Sequence, residues 1–311
     1  MTGYDPTFLG TKKKLKVPMP IISESLMPIV APVKNDDSNI LHYPNYSVVQ
    51  HAERRFPIYT ASNIDGGLYQ NIRRKDLFKG GRDRWRKDRR ISYKHQWGGE
   101  LYKAPKSDFD KGHLVKREDV QWGKHVDEAK EGARGTFYYT NAVPQHPDVN
   151  RAIWKDIEDY ILHEETLHFD LRICSFTGPV LREDDPVFVS SVRENEVKIP
   201  ALFWKVIYYT KDNKKTQRVA FLVGQLSLLE SHEIVYPVIF DRDAEEDNYF
   251  LDFDMADTYQ VNTALIESLT HLKFAKAEES YKDDRARKLI LQEVNVRGEK
   301  SSSRKIEGLV L

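Results

Sequence analysis

Two stretches of this chain hold side chains that can carry out acid–base and metal chemistry. The first contains His113 directly after Gly112, and the second contains Asn150 and Glu158. An imidazole titrates near neutral pH and can act as a general base. A neutral amide oxygen is a hard ligand that suits a single Mg²⁺ ion. A base, a bound cation and a carboxylate together form a set that can hydrolyse a phosphate ester.

The spacing within the second stretch limits how the residues can act. Glu158 follows Asn150 by eight positions, which is roughly 12 Å along an α-helix. Both side chains can reach one ion only if Asn150 lies on the first turn. Trp154, four positions after Asn150, is predicted to pack the helix start under the site. Taken alone, His113 after a glycine is a common turn residue, and Asn150 is a common helix N-cap that can also be a ligand.

The two stretches together resemble two motifs of the DNA/RNA non-specific endonucleases, the ββα-metal (His-Me finger) family that includes endonuclease G. Residues 110–113 read D-K-G-H and resemble the family's D-R-G-H signature. Residues 141–158 resemble its N-x-x-P-Q segment followed by N-x-x-x-W-x-x-x-E. Two motifs in the family's order are a more specific signal than either motif alone. The resemblance covers roughly residues 41–274.

The resemblance implies a role for each motif residue. His113 is expected to activate water, and Asn150 is expected to bind one Mg²⁺ ion, with Mn²⁺ as an alternative. Glu158 is expected to orient the waters of that ion, and Asn141 to steady the site by hydrogen bonding. The implied products carry 5′-phosphate and 3′-hydroxyl ends.

Substrate phosphates are expected to meet three cationic side chains. Residues 81–88 resemble a family segment, R-x-W-x-x-D, in which an arginine contacts phosphate. Arg82 and Arg84 bracket that position and Asp83 can occupy it, so both arginines remain candidates. Lys111 replaces the arginine of D-R-G-H. It keeps the positive charge but lacks the guanidinium fork that binds phosphate through two hydrogen bonds.

A further difference from the family lies in the second motif. Leu162 stands where the family often has an arginine, four positions after the glutamate. That contact must come from elsewhere, such as His163, or be absent. His163 and His168 also raise the idea of a zinc site, but residues at i and i+5 lie about 140° apart around a helix. The sequence therefore argues against zinc there.

The expected fold is α+β, a mainly antiparallel sheet flanked by helices with a ββα-metal site on one face. We predict a Pro-rich extended arm over residues 1–40, an endonuclease domain over 41–275 and a charged tail over 276–311. His271 stands where the family's closing helix has a glycine. Predicted strands cover residues 46–50, 56–65, 136–140, 173–179, 203–209 and 219–223, and predicted helices cover 151–167 and 259–274.

Charge is balanced over the chain but segregated along it. The 48 basic and 48 acidic residues cancel, yet residues 73–94 carry a local charge of +8 and residues 241–257 one of −7. Phosphate contacts are local, so the basic run can bind nucleic acid even in a neutral protein. The alternative is that it forms a solvated face. The acidic run is a candidate phosphate mimic that covers the basic surface.

The composition of the chain indicates the cellular compartment in which it is expected. The single cysteine, Cys174, is predicted to be a buried small side chain in a strand. The chain has no apolar run long enough to span a membrane and no apolar signal segment near its start. These features predict an intracellular, cytoplasmic protein.

The expected function is cleavage of DNA, and also of RNA, with little sequence preference. A different class of function is a non-catalytic module that binds nucleic acid or protein on a retained nuclease fold. An active nuclease inside a cell needs restraint by an inhibitor, a compartment, an activating event or one of its own flanking segments. We therefore expect removal of residues 1–39 to raise activity. The alternative is that this arm packs on the sheet or assembles a homodimer.

Overall fold

The computed structural model describes residues 3–211, 215–237, 253, 257–294 and 303–310. The acidic run at residues 241–257 therefore lies outside the described residues, apart from positions 253 and 257. None of the described helices is long and apolar enough to cross a bilayer.

Strands outnumber helices in the described part of the chain. The strands are β1 Ile21–Ile22, β2 Leu41–Tyr43, β3 Tyr46–Gln50, β4 Pro57–Asp65, β5 Asp110–His113, β6 Ala142–Gln145, β7 Arg172–Val180, β8 Leu202–Tyr209, β9 Gln217–Gly224, β10 Thr258–Val261, β11 Leu272–Lys273, β12 Glu278–Glu279, β13 Arg287–Lys288, β14 Ile290–Val294 and β15 Ser303–Glu307. The α-helices are α1 Gly99–Tyr102, α2 Val126–Gly135, α3 Trp154–Asp159, α4 Leu226–Ser231 and α5 Thr263–Thr270. Short 3₁₀-helices span Lys13–Leu15, Met27–Ile29, Arg74–Asp76, Tyr93–His95 and Tyr139–Asn141, and π-helices span Val149–Ile153 and Tyr160–Leu167.

Nine of the described strands form one large sheet. Its order is β13-β10-β9-β8-β7-β4-β3-β2, with β12 added beside β9. Neighbours run antiparallel except β12, which is parallel to β9. Strands β4 and β8 are buried at every position. Burial on both faces explains why these strands read as nearly continuous apolar runs. The predicted strands 46–50, 56–65, 173–179, 203–209 and 219–223 are confirmed.

Alternate residues of the central strands face two separate cores, as the two-residue period of a strand requires. On one face, Phe203 and Ile207 pack in a core that includes Trp154 of α3. On the other face, Trp204 packs in a core that includes Ile266 of α5. The helix that carries the second motif and the closing helix therefore lie on opposite faces. Cys174 is fully buried in β7, as predicted.

The two flanking segments pack on the sheet. Tyr4 and Val17 are buried in the α5-side core, and the Tyr4 hydroxyl donates to the Val17 carbonyl at 2.7 Å. Strand β1 pairs with β11. At the other end of the chain, β12 and β13 join the large sheet, and β14 pairs with β15. Residues of both segments therefore contribute to the folded unit.

Strands β5 and β6 form a separate antiparallel pair next to α3. The predicted strand at 136–140 is wrong, because Thr136 caps α2 and residues 139–141 form a 3₁₀ turn. Phe137 is fully buried in a small core with Leu77, so its apolar character reflects helix-end packing. The strand begins at Ala142. A strand pair followed by a helix is nevertheless the predicted arrangement.

The two predicted helices differ in detail from the structure. Only Trp154–Asp159 of the predicted helix 151–167 is α-helical, and π-helix flanks it on both sides. In the predicted helix 259–274, residues 258–261 form β10 and the helix covers 263–270. His271 then adopts the left-handed conformation with φ +55°, which glycine tolerates best. This explains why a glycine suits that position in the family.

Candidate active site

A cavity of about 530 Å³ brings the two motifs together. His113, Asn150 and Glu158, predicted from segments far apart in the chain, all line it. The other lining residues are Arg74, Asp83, Trp85, Asp110, Lys111, Lys116, Arg117, Glu118, Arg151 and Lys155. A larger cavity of about 720 Å³ lies against Arg54 and His271 and contains none of the motif residues.

His113 ends strand β5, opposite Ala142 of β6. Its ring lies 4.7 Å from the Trp85 ring and 5.2 Å from the Phe137 ring, measured between centroids. Its Nε2 atom is buried and has no hydrogen-bond partner among the described residues. Burial, aided by the nearby Arg74 guanidinium, lowers the pKa of His113 to about 3. The imidazole is therefore neutral at pH 7.

Gly112 is required by a close contact inside the β5–β6 pair. A Cβ atom at this position would lie 2.1 Å from the Gln145 Oε1 atom. This close neighbour is a fully buried side chain. Glycine at 112 thus lets β5 pass over Gln145 and places His113 at the cavity.

Asn141 lies beneath the site and does not line the cavity. Its Oδ1 accepts from the Val115 amide at 2.9 Å, and its Nδ2 donates to the Val115 and Thr136 carbonyls at 3.0 and 3.1 Å. The side chain is fully buried. These bonds fasten the segment that follows His113 to the segment that precedes β6.

Asn150 is oriented by the first motif. Its Nδ2 donates to Asp110 Oδ2 at 2.9 Å, and Arg151 donates to both Asp110 carboxylate oxygens at 2.5 and 2.7 Å. Burial alone would raise the pKa of Asp110, but these hydrogen bonds outweigh it and hold that pKa below its ordinary value. With its nitrogen committed to Asp110, Asn150 keeps its carbonyl oxygen for another partner. A hard, neutral oxygen of this kind fits Mg²⁺ or Mn²⁺.

Glu158 lies on α3, and its carboxylate meets a cation from the sheet. Its Oε1 atom is 2.9 Å from Lys205 Nζ, although this ion pair lacks the alignment of a hydrogen bond. Asn150 belongs to the π-helix that precedes α3. Asn150 thus lies on the turn that leads into α3. The eight-residue spacing requires such a position if Asn150 and Glu158 are both to face one cavity.

The predicted phosphate contacts divide into two groups. Lys111 lines the cavity, whereas Arg82 and Arg84 are exposed and do not line it. Asp83, between them, receives a hydrogen bond of 3.0 Å from Arg74 Nε. Asp83, one of the residues that can occupy the family's arginine position, thus pairs with a different arginine, Arg74, at the cavity wall.

Sequence reasoning missed the other cavity cations. Arg117, Arg151 and Lys155 all line the cavity. Arg151 directly follows Asn150, which was an available signal, but nothing in the spacing marks Lys155. Leu162, which replaces a family arginine, is buried in the core, so it leaves room for no charged contact.

A second group of oxygen and nitrogen atoms lies beside the cavity. Ligand atoms of Glu118, Asp159 and His163 lie within 4.8 Å of one another. Lys116 already pairs with both carboxylates. A hydrogen bond from His163 is the largest of the effects that lower the pKa of Glu118 to about 2. These acids are thus neutralised by protein cations, and Asn150 is the better-suited metal ligand.

Comparison with known proteins agrees with the motifs. The sequence model of the DNA/RNA non-specific endonuclease family matches residues 25–280. The chain is 33% identical over 233 residues to the uncharacterized protein y4fB of Sinorhizobium fredii, a match that covers 72% of this chain and 32% of y4fB. It is 28% identical over 145 residues to mitochondrial endonuclease G of Homo sapiens, covering 43% of this chain and 45% of that protein. The chain thus spans less than half the length of these relatives.

The fold is also found in a solved structure. A chain in the crystal structure of the EndoG/EndoGI complex, which addresses EndoG inhibition, matches with a TM-score of 0.52 and 17% identity. The match covers 80% of this chain and 89% of that chain. The fold is therefore α+β, with the large antiparallel sheet and the ββα-metal arrangement of endonuclease G. Members of this family depend on divalent metal ions. With more than half of its length matched, the chain belongs to the DNA/RNA non-specific endonuclease family.

Proposed function

We propose that this chain cleaves DNA, and RNA as well, at internal phosphodiester bonds with little sequence preference. One observation carries the proposal: His113, Asn150 and Glu158 line a single cavity that is open to substrate and surrounded by cations. Contacts from those cations reach phosphate rather than base edges, which explains low sequence preference.

His113 is the general base of the proposed reaction. Its neutral imidazole takes a proton from the attacking water, and its ring is held in place against the rings of Trp85 and Phe137. The water then attacks phosphorus while the bond to the 3′ oxygen breaks, and the 3′ oxygen takes up a proton from solvent. The products carry 5′-phosphate and 3′-hydroxyl ends.

Asn150 and Glu158 serve the metal requirement of the proposed reaction. A divalent cation, Mg²⁺ or Mn²⁺, supplies positive charge for the phosphate oxygens and the leaving oxygen when it is bound. Asn150 Oδ1 would be the protein ligand, held in place by Asp110. Glu158 would accept hydrogen bonds from the waters of that cation, and Asn141 keeps the segment after His113 in position.

The cationic side chains hold the nucleic-acid backbone. Lys111, Arg117 and Lys155 contact phosphates at the cavity and together replace the arginine lost at position 162. Arg82 and Arg84 extend the positive surface, because they alternate in sequence with the cavity residues Asp83 and Trp85. We also include among the partners an inhibitor protein that covers this basic surface.

Incubation of the purified protein with supercoiled plasmid tests the proposal. Nicking and linearisation are expected with Mg²⁺ and are expected to stop when a chelator is added. End-labelling of the products checks the 5′-phosphate. A protein that binds plasmid but leaves it intact under all these conditions would instead be a binding module on a nuclease fold.

A further inference from the structure

A lysine lies inside the sheet directly beneath the candidate active site. Lys205 is only 3% exposed and occupies the middle of β8, a strand buried at every position. Its neighbours on the same face, Phe203 and Ile207, belong to the apolar core. An unpaired ammonium is strongly unfavourable in such surroundings, so the groups that it meets define its role.

Lys205 reaches towards α3. Its Nζ atom is 2.9 Å from Glu158 Oε1 and 5.8 Å from the centroid of the Trp154 ring. Asp119 is a third member of this buried group, since it lines the same small internal cavity as Lys205 and Glu158. Burial raises the pKa of Asp119 to about 6, and Lys205 is the strongest influence against that rise. The lysine thus interacts with two carboxylates.

Glu158 is the member of this group that also faces substrate. It lines both the small internal cavity and the open one that contains His113 and Asn150. The other acids at the open cavity form ion pairs with cations outside the large sheet: Asp83 with Arg74, Asp110 with Arg151, and Glu118 with Lys116. Glu158 also feels the charge of Lys116, but the cation in its ion pair, Lys205, comes from the sheet.

Stability alone does not explain a lysine at this position. A buried ion pair can often be replaced by apolar residues without loss of stability, and the neighbours on β8 are already apolar. An ion pair does fix orientation, and this one joins the Glu158 side chain of α3 to the middle of β8.

We propose that Lys205 is a positioning residue, whose ammonium holds the Glu158 carboxylate at the wall of the active-site cavity from the sheet side. This inference rests on the proposed function and deepens it. It assigns no contact between Lys205 and substrate.

A double-mutant cycle between Lys205→Met and Glu158→Gln tests the inference. Lys205→Met is expected to lower kcat by about 10²-fold, the scale for misplacing a catalytic group, with little change in KM. In the Glu158→Gln background, the same change is expected to have almost no further effect on kcat, because there is no carboxylate left to position. Equal fold-losses in both backgrounds would show that Lys205 acts independently, and would overturn the inference.

Further variants separate positioning from folding. Lys205→Arg keeps the cation and is expected to retain more activity than Lys205→Met. If Lys205→Met alone does not fold, the inference can still be tested by comparing Glu158→Gln with the double variant Lys205→Met/Glu158→Gln, which buries no charge at either position. A kcat lower in the double variant than in Glu158→Gln would contradict the inference. Arg218→Met is the matched control, because Arg218 on β9 forms a part-buried 2.7 Å ion pair with Glu279 on β12. It is expected to lower the melting temperature and leave kcat unchanged.

The failure of this inference can be told apart from the failure of the proposed function. A wild-type protein without nuclease activity would refute the proposed function itself. An active wild-type protein whose kcat is unchanged by Lys205→Met would refute only this inference.

Discussion

At the scale of single residues, His113 lines the candidate active-site cavity and is neutral at pH 7, as a general base must be before it accepts a proton. We expect His113→Ala to lower kcat by about 10²–10⁴-fold while binding of nucleic acid persists, since the cavity cations remain. Plasmid cleavage and fluorescence anisotropy with a labelled duplex measure the two quantities. Turnover close to wild type would remove His113 from the reaction.

His51 allows a separate test of how burial acts on a histidine away from the site. Its Nδ1 accepts hydrogen bonds from the Glu53 and Arg54 amides, both at 3.2 Å, and burial lowers the pKa of His51 to about 4. Between pH 6.5 and 4 the unfolded chain therefore binds a proton that the folded chain excludes. The free energy of unfolding should fall as pH falls through this window, by about 3 kcal/mol at most.

The variant His51→Asn provides the control for that pH dependence. An asparagine oxygen can accept the same amide hydrogen bonds but does not titrate. Urea denaturation of both proteins from pH 7 to pH 4 isolates the contribution of the histidine, because all other groups are shared. Parallel stability curves would contradict the assignment.

Residue identities predicted the centre of the site better than its edge. That His113, Asn150 and Glu158 line one cavity was predictable from two motifs that resemble those of a known family. The cations at the cavity wall were less predictable, because any exposed Lys or Arg can supply positive charge. Arg74 lines the cavity and pairs with Asp83, a contact between side chains nine positions apart that no local pattern indicates.

At the scale of elements, the β5–β6 pair sets the position of His113, the proposed general base. We expect Gly112→Ala to lower stability by about 1–3 kcal/mol, because the new methyl group would overlap Gln145, whose side chain is fully buried and cannot move to solvent. Activity should fall as well, since His113 is adjacent.

The double variant Gly112→Ala/Gln145→Ala tests the reason for that loss. The Gln145 amide has no hydrogen-bond partner among the described residues, so its removal sacrifices packing but no hydrogen bond. Urea denaturation should show that the double variant is more stable than the sum of the two single changes predicts. Simple additivity would mean that Gly112 is needed for some other reason, such as its backbone conformation.

Elements differed in how well the sequence predicted them. Central strands such as β8 were predictable because burial on both faces leaves a long apolar run. The run at 136–140 looked similar, but Phe137 is apolar because it packs at the end of α2. The π-helical turns around α3 were not predictable, since a small change in hydrogen-bond register leaves the apolar spacing almost unchanged.

At the scale of the whole molecule, the site and the arm occupy different faces of the sheet. The arm packs in the α5-side core, whereas α3 packs in the opposite core. No residue before Arg74 lines the active-site cavity, as far as the described part of the chain shows. This arrangement therefore favours the alternative in which the arm packs on the sheet over the one in which the arm restrains cleavage by covering the cavity.

Deletion of residues 1–39 tests that alternative. The Tyr4 amide donates to Ser47 Oγ at 2.8 Å, and the Asp5 amide donates to Asn63 Oδ1 at 2.6 Å. The Tyr4 ring lies 5.3 Å from the Phe176 ring. Removing the arm would uncover this apolar face, so we expect a lower melting temperature and a tendency to associate, without higher turnover per folded molecule. Neutralising the exposed Lys12, Lys13 and Lys14 leaves the packing intact and should change neither quantity. A truncated protein that keeps its melting temperature and mass but cleaves plasmid faster would show instead that the arm restrains the enzyme, because activity would then have risen without any loss of structure.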